Sequence, residues 1–240
     1  MIIGKETIAI FGDIHGCFDT FMELKSKLPS DCRIISVGDI IDRGPQIEKT
    51  IDYFREHELE MVLGNHEHMA MEASEYLYYE ESDRSNYNLY GTDWIYNGGK
   101  EMLAQYSSRS KLIDDIESFR SLPIAFDTGI TYNDLPVVVS HAQLPSHYIM
   151  QDFPILQSDT PYAQTLVWNR NVSTSPTPFF NVHGHTPTDC YGKNGEPILT
   201  NYFLNLDTGC CYNNSTRGVL TAALFIPGEE QIQIIQERRI

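Results

Sequence analysis

Three times in the first 67 residues an apolar run ends abruptly in glycine followed by an acid or an amide. Thr7-Ile8-Ala9-Ile10-Phe11 runs into "GDIHGC", Arg33–Val37 into "GDIIDRG", and Glu60–Leu63 into "GNHE". β-Branched and aromatic residues suit a buried strand, and glycine is where a chain turns sharply, so each run predicts a strand that stops at its motif. Between the runs, Phe18–Leu28 carries apolar residues at Phe18, Phe21, Met22, Leu24 and Leu28. Pro45–Glu56 starts on proline and places Ile47, Ile51 and Phe54 on one side. Both patterns predict helices. Strand, helix, strand, helix, strand implies parallel pairing through right-handed crossovers, with both faces of the sheet covered. Asp13 and His15 are two apart on an extended segment, so their side chains leave on the same face. That arrangement suits a metal. Taken alone the signal is weak, and an aspartate capping the next helix with a histidine bonded to a backbone carbonyl explains it more simply.

From about residue 67 to 122 the chain reads as a mostly helical insertion, with a helix over Trp94–Tyr106. Its stretch "EASEYLYYEESDRSNYNLYGTDW" mixes tyrosines with acids. Such a segment is either an exposed insertion whose aromatics pack on the main body or a wall facing the substrate. After Pro123 the pattern turns to short strands: Ile124–Phe126, Pro136–Ser140, Phe179–His183, Phe203–Asp207, Gly218–Phe225 and Gln231–Ile235. The expected fold class is α/β, with two packed mixed β-sheets forming a sandwich flanked by helices. All 240 residues are expected to form a single domain. Acids outnumber bases 33 to 17, for a net charge of -16, which argues against a polynucleotide partner, whose phosphates need a basic surface. Five cysteines without a CxxC pair suit a reducing compartment. The start of the chain shows no basic segment leading into a long apolar run. The expectation is therefore a cytoplasmic protein with no membrane partner.

Side chains able to hold a metal recur at the strand ends. Asp39, Asp42 and Arg43 follow the second strand, Asn65, His66 and Glu67 the third, and His141 follows "VVVS". "NVHGHTP" adds His183 and His185, and "LNLDTGC" adds Asp207. In open α/β sheets ligands bind at the carboxyl ends of strands. Each piece alone reads as an ordinary turn. Five of them together point to a metal site. A donor set of carboxylates, imidazoles and an amide, without thiolate, suits Mn first, with Fe or Zn as alternatives. So many donors imply two divalent ions, and a bridging carboxylate such as Asp39 would hold them about 3.5 to 4 Å apart, a spacing that clamps one phosphoryl group.

The ordered series "GDIHG", "GDIIDRG", "GNHE", "SHA" and "GHTP", together with "WIYNGGKEML", "VWNR" and "LDTGC", resembles the phosphoprotein phosphatase family of the calcineurin-like metallophosphoesterases, in its bacterial and bacteriophage lambda type. The resemblance runs from about residue 7 to 225. It implies that Asp13, His15 and Asp39 bind a first metal, which Asp39 bridges to a second held by Asn65, His141 and His185. It implies further that His66, oriented by Asp42, is the catalytic histidine, and that Arg43 and Arg170 grip phosphate. The implied activity is phosphomonoester hydrolysis by a hydroxide activated between two metals, as in a serine/threonine protein phosphatase, with dual specificity toward phosphotyrosine as its broader form. Its partner would be a phosphoprotein or phosphopeptide. His66 would protonate the leaving alkoxide. No phosphoenzyme is needed, so Cys17 reads as a packed residue, and His183 as a core histidine behind the site. One position departs from the pattern: Leu63 stands where "RGNHE" members carry a phosphate-contacting arginine, as it does in the "LGNH" motif of dinucleoside tetraphosphatases. The alternative activity is therefore hydrolysis of a dinucleoside polyphosphate of the diadenosine tetraphosphate type.

Overall fold

Ile8 and Ile10 point to one side of their strand and Ala9 and Phe11 to the other, and all four are fully buried. A strand buried on both faces needs a partner layer on each, and the fold supplies a second sheet on one side and helices on the other. The computed structural model describes residues 1–78, 92–146, 163–214 and 216–240. In chain order the elements are β1 (Ile2–Ile3), β2 (Ile8–Phe11), α1 (Phe18–Ser26), β3 (Arg33–Ser36), α2 (Ile47–Glu56), β4 (Glu60–Met61), α3 (Asn65–Leu77), α4 (Lys100–Gln105) and α5 (Arg109–Ser118). There follow β5 (Ala125–Tyr132), β6 (Leu135–Ser140), α6 (Ala163–Val167), β7 (Phe180–His183), β8 (Ile198–Leu199), β9 (Phe203–Asn205), β10 (Val219–Phe225) and β11 (Gln233–Arg238).

One sheet has the order β11-β10-β2-β3-β4, with β2, β3 and β4 parallel, as the strand-helix alternation requires, and β10 and β11 antiparallel. The other runs β1-β5-β6-β7-β9-β8, parallel only in its β6-β7-β9 centre. Both sheets are mixed. Ile8, Ile10, Ile35, Val37, Val139, Val182, Leu204 and Phe225 belong to a core between the sheets. A second core beneath the helices takes the alternate residues Ala9, Phe11 and Ile34 together with Phe21, Leu24, Ile51 and Phe54.

The expected strands are present with changed limits. β4 ends at Met61: the Val62 N–H still bonds the β3 carbonyl of Ser36, but the Leu63 N–H turns away to the carbonyl of Pro123. Leu63 is fully buried in the core beneath the helices. β5 continues to Tyr132, beyond the predicted Phe126, with a register shift between Asp127 and Thr131. The acid-threonine-glycine run there is a bulge and not a turn. The helical stretch begins at Asn65, inside "GNHE", and the helix expected over Trp94–Tyr106 is broken by a wide turn at Ile95–Gly99. Of the tyrosine-rich segment, residues 79–91 lie outside the described residues.

Candidate metal centre

Three loops from one sheet, after β2, β3 and β4, and two from the other, after β6 and β7, meet at a common edge, and several of the residues that occupy them adopt backbone conformations that most side chains avoid. His15, Asp39, Asp42, Arg43 and His185 all have positive φ, from 46° to 73°. Non-glycine residues in that region cost of order 1–3 kcal/mol each and persist where surrounding structure fixes them, commonly at functional sites.

Asp39 is the hub. Its carboxylate groups with His15 and His66 on one side and with Asp13 and His141 on the other, the donor atoms in each trio lying within 4.8 Å of one another. Burial works against its charge, yet the neighbouring His141, His66 and His15 hold its carboxyl below the ordinary carboxylate range. Asp13 is pushed the other way, by burial and by the carboxylates of Asp207 and Asp39. It accepts the His185 N–H at 3.2 Å.

The histidines are oriented from behind. The Nδ1–H of His15 donates to the Ile41 carbonyl and that of His141 to the Val37 carbonyl, each at 2.8 Å. Burial lowers the pKa of both rings, so each presents an unprotonated Nε2 to the site, the usual posture of a metal-bound imidazole. His141 Nε2 then faces the Asn65 Oδ1 at 2.9 Å, and His185 Nδ1 lies 2.7 Å from that oxygen and 3.2 Å from His141 Nε2. Burial drives His185 down to about 2, and its Nε2 has no hydrogen-bonding partner among the described residues. An imidazole lone pair and an amide oxygen turned toward each other repel unless a cation lies between them. This donor set, with its crowded carboxylates, fits divalent metal ions.

Asp13 and His15 do not fall in one trio. They meet through Asp39, and Arg43 Nη1 stands 3.0 Å from His15 Nε2. Arg170 is exposed, reaches Thr186 Oγ1 at 3.4 Å, and its charge acts on His141 and His185. His183 is buried with its Nδ1 against the Gly184 carbonyl and its ring beside Phe203. Cys17 is buried and donates to the His15 carbonyl.

His66 has a different posture. Its Nδ1 lies 2.7 Å from Asp42 Oδ2, and its Nε2 lies 3.9 Å from Asp39 Oδ2. Trp94 Nε1–H donates to both Asp42 oxygens, at 3.0 and 3.1 Å. Burial raises Asp42 while the bonds from His66 and Trp94 pull it back. The backbone of Gly98, at φ 122°, lies so close that a Cβ there would sit 2.8 Å from Arg43 Cγ and 2.9 Å from Asp42 Cβ. "WIYNGG" thus braces the Asp42-Arg43 turn. Trp94 and Gly98 carried no assigned role in the sequence, because neither residue type advertises site chemistry. Glu67 was visible only as part of its motif. Its carboxylate accepts the N–H groups of Asp39, Ile40, Ile41 and Gly64, fixing the loop that presents Asp39, and burial with the Asp39 charge pushes it up to about 8.

The profile of the calcineurin-like phosphoesterases matches residues 6–212, spanning every loop just described except the final edge of the sandwich. The chain belongs to this family. As a calcineurin-like metallophosphoesterase it is similar to serine/threonine-protein phosphatase 2 of Escherichia coli, 31% identical over 59% of this chain and 61% of that protein. It is also similar to serine/threonine-protein phosphatase 1 of Salmonella typhimurium, 38% identical over 38% of each. These matches therefore span less than two thirds of either relative. The bis(5'-nucleosyl)-tetraphosphatase PrpE of Oceanobacillus iheyensis is 26% identical over 95% of this chain and 91% of its own length. Among solved structures, a chain described as a diadenosine tetraphosphatase superposes with a TM-score of 0.62 at 19% identity, covering 97% of this chain and 94% of its own. A serine/threonine phosphatase from Saccharomyces cerevisiae gives 0.59 at 16%, covering 98% and 80%. These two likenesses establish the phosphoesterase fold. No helix among the described residues is long and apolar enough to cross a membrane.

Proposed function

We propose that this metallophosphoesterase removes phosphate from phosphoserine and phosphothreonine in proteins, with Asp13, His15, Asp39, Asn65, His141 and His185 holding two divalent ions, Mn by preference. The observation that carries the reading is the Trp94–Asp42–His66 line, which ends on a nitrogen beside the Asp39 hub. With Nδ1–H given to Asp42, a protonated His66 has its Nε2–H free for the leaving oxygen of an alkyl phosphate, whose poor leaving group needs an acid. Asp42 fixes the direction of the ring, and Trp94 keeps Asp42 from rotating away. Bound ions supply Lewis acidity toward the phosphoryl oxygens and lower the pKa of water. Arg43 and Arg170 grip the remaining phosphoryl oxygens. For this, Arg43 must swing off His15 Nε2. Attack on phosphorus needs no side-chain nucleophile, so Cys17 keeps its packing role.

A specific observation favours a second reading, hydrolysis of a dinucleoside polyphosphate. Leu63 puts a core aliphatic where an arginine would add a phosphate contact, and the similarity to PrpE extends over nearly the whole chain. Steady-state kinetics of the Mn-loaded protein on phosphoserine, phosphothreonine and phosphotyrosine peptides beside diadenosine tetraphosphate separates the two. Higher kcat/KM on the serine and threonine peptides is expected; higher kcat/KM on the dinucleotide would replace the first reading with the second. Cytosolic location goes with either, given five free cysteines among the described residues.

A further inference from the structure

Arg43 cannot stay on His15 Nε2 and also grip a phosphoryl oxygen, so its guanidinium needs a second resting place. Two groups lie beside it. One is the thiol of Cys211, a weak acceptor, and the other is the ring of Tyr212, whose centroid is 5.8 Å from Arg43 Cζ. A guanidinium within about 6 Å of an aromatic face is attracted to it.

The half-buried Tyr212 lies on the loop between β9 and β10, and that loop is folded tightly enough to hold the ring still. The Gly209 carbonyl accepts the N–H groups of both Tyr212 and Gly218, at 3.0 and 2.9 Å. Asn214 Oδ1 accepts those of Thr216 and Arg217, at 3.0 and 2.9 Å. Gly209 has φ 74°, and a Cβ on it would sit 2.9 Å from Arg217 Cβ, so the arginine stem lies across the space a side chain would fill. From there Arg217 brings its Cζ to 4.4 Å from the Tyr212 centroid while its Nε donates to Asp189. Asp189 anchors Arg217 and offsets its charge, and Arg217 in turn clamps the ring beside Arg43.

We infer that Tyr212 is a positioning residue for phosphate binding: its ring, clamped by Arg217, receives the Arg43 guanidinium as it leaves His15 and holds it aimed at the phosphoryl group. The inference rests on the reading of Arg43 as a phosphate grip. An arginine free to swing gives up its rotamer freedom at each binding event, and a ring that holds it beforehand removes part of that cost.

The test is calorimetric titration of the Mn-loaded protein with inorganic phosphate, which needs no turnover and is the same probe whichever phosphoester is the substrate. The proteins compared are wild type, Tyr212→Phe, Tyr212→Leu, Tyr212→Met, Arg43→Ala and the double variant Arg43→Ala/Tyr212→Leu, each checked for folding by thermal unfolding. Leucine and methionine keep apolar bulk without a ring face and should each weaken phosphate binding by about 3- to 30-fold. Tyr212→Phe keeps the face and should bind as wild type does. In the Arg43→Ala background the leucine should cost nothing further, because a residue that acts through Arg43 has nothing left to position. Wild-type affinity in the folded leucine or methionine variant would overturn the inference, as would phenylalanine binding as weakly as leucine, or an undiminished loss in the double variant. Wild-type affinity in Arg43→Ala would instead remove the phosphate grip itself, and the inference with it.

Discussion

His66 and His141 are the same side chain in the same cleft, and the atom behind each ring separates their uses. A backbone carbonyl behind His141 accepts a proton without adding charge and leaves a neutral ring. A carboxylate behind His66 holds the ring with its Nε2 turned toward the Asp39 hub. His66→Asn should therefore cut kcat on a phosphoserine peptide by about 10²- to 10⁴-fold while bound metal, counted by elemental analysis, stays at the wild-type level. Loss of metal in that variant would make His66 a ligand. Arg43 allows a cleaner separation of function from stability. At φ 63° it sits where glycine is at ease, so Arg43→Gly should be about 1 kcal/mol more stable than Arg43→Ala in denaturant melts, although both lose the guanidinium and the same share of kcat/KM.

At the scale of elements, the turn at Ile95–Gly99 acts as a brace for the loop after β3. Gly98→Ala should raise KM more than it lowers kcat, because the added methyl displaces the Asp42-Arg43 turn, and should lower Tm by several degrees from strain at φ 122°. An unchanged KM would show that the loop holds itself. The brace also marks where reading a sequence stops. Alternation made β2, β3 and the parallel pairing legible, and strand-end chemistry gathered a pool of metal-capable side chains, from which the family resemblance selected the six proposed ligands. The turn around Gly98 was hidden inside a helix-like pattern. The end of β4 was set by Pro123, which is distant in sequence, and the bulge in β5 was disguised by residues that also make turns. In each case the deciding partner lies on another element, so no local window contains it.

Over the whole molecule the excess of acid matters at long range. A net charge of -16 attracts cationic substrates and repels anionic ones until salt screens the field, within about 10 Å at 0.1 M ionic strength. Phosphopeptides with basic flanks should therefore show higher kcat/KM than acidic ones at low salt, and the ratio should fall toward one as salt rises. A ratio independent of salt would place the preference in direct contacts. The two sheets that share the metal centre also impose an order on its making. Asp13, His15, Asp39 and Asn65 lie in the first 65 residues of the chain, whereas His141 and His185 come from strands of the other sheet. A ribosome that has released only the first half of this chain has delivered one jaw of the clamp. On the proposed ligand set the second jaw closes only when the later sheet has docked, so capture of both ions would come last in biosynthesis and would certify that the sandwich is finished.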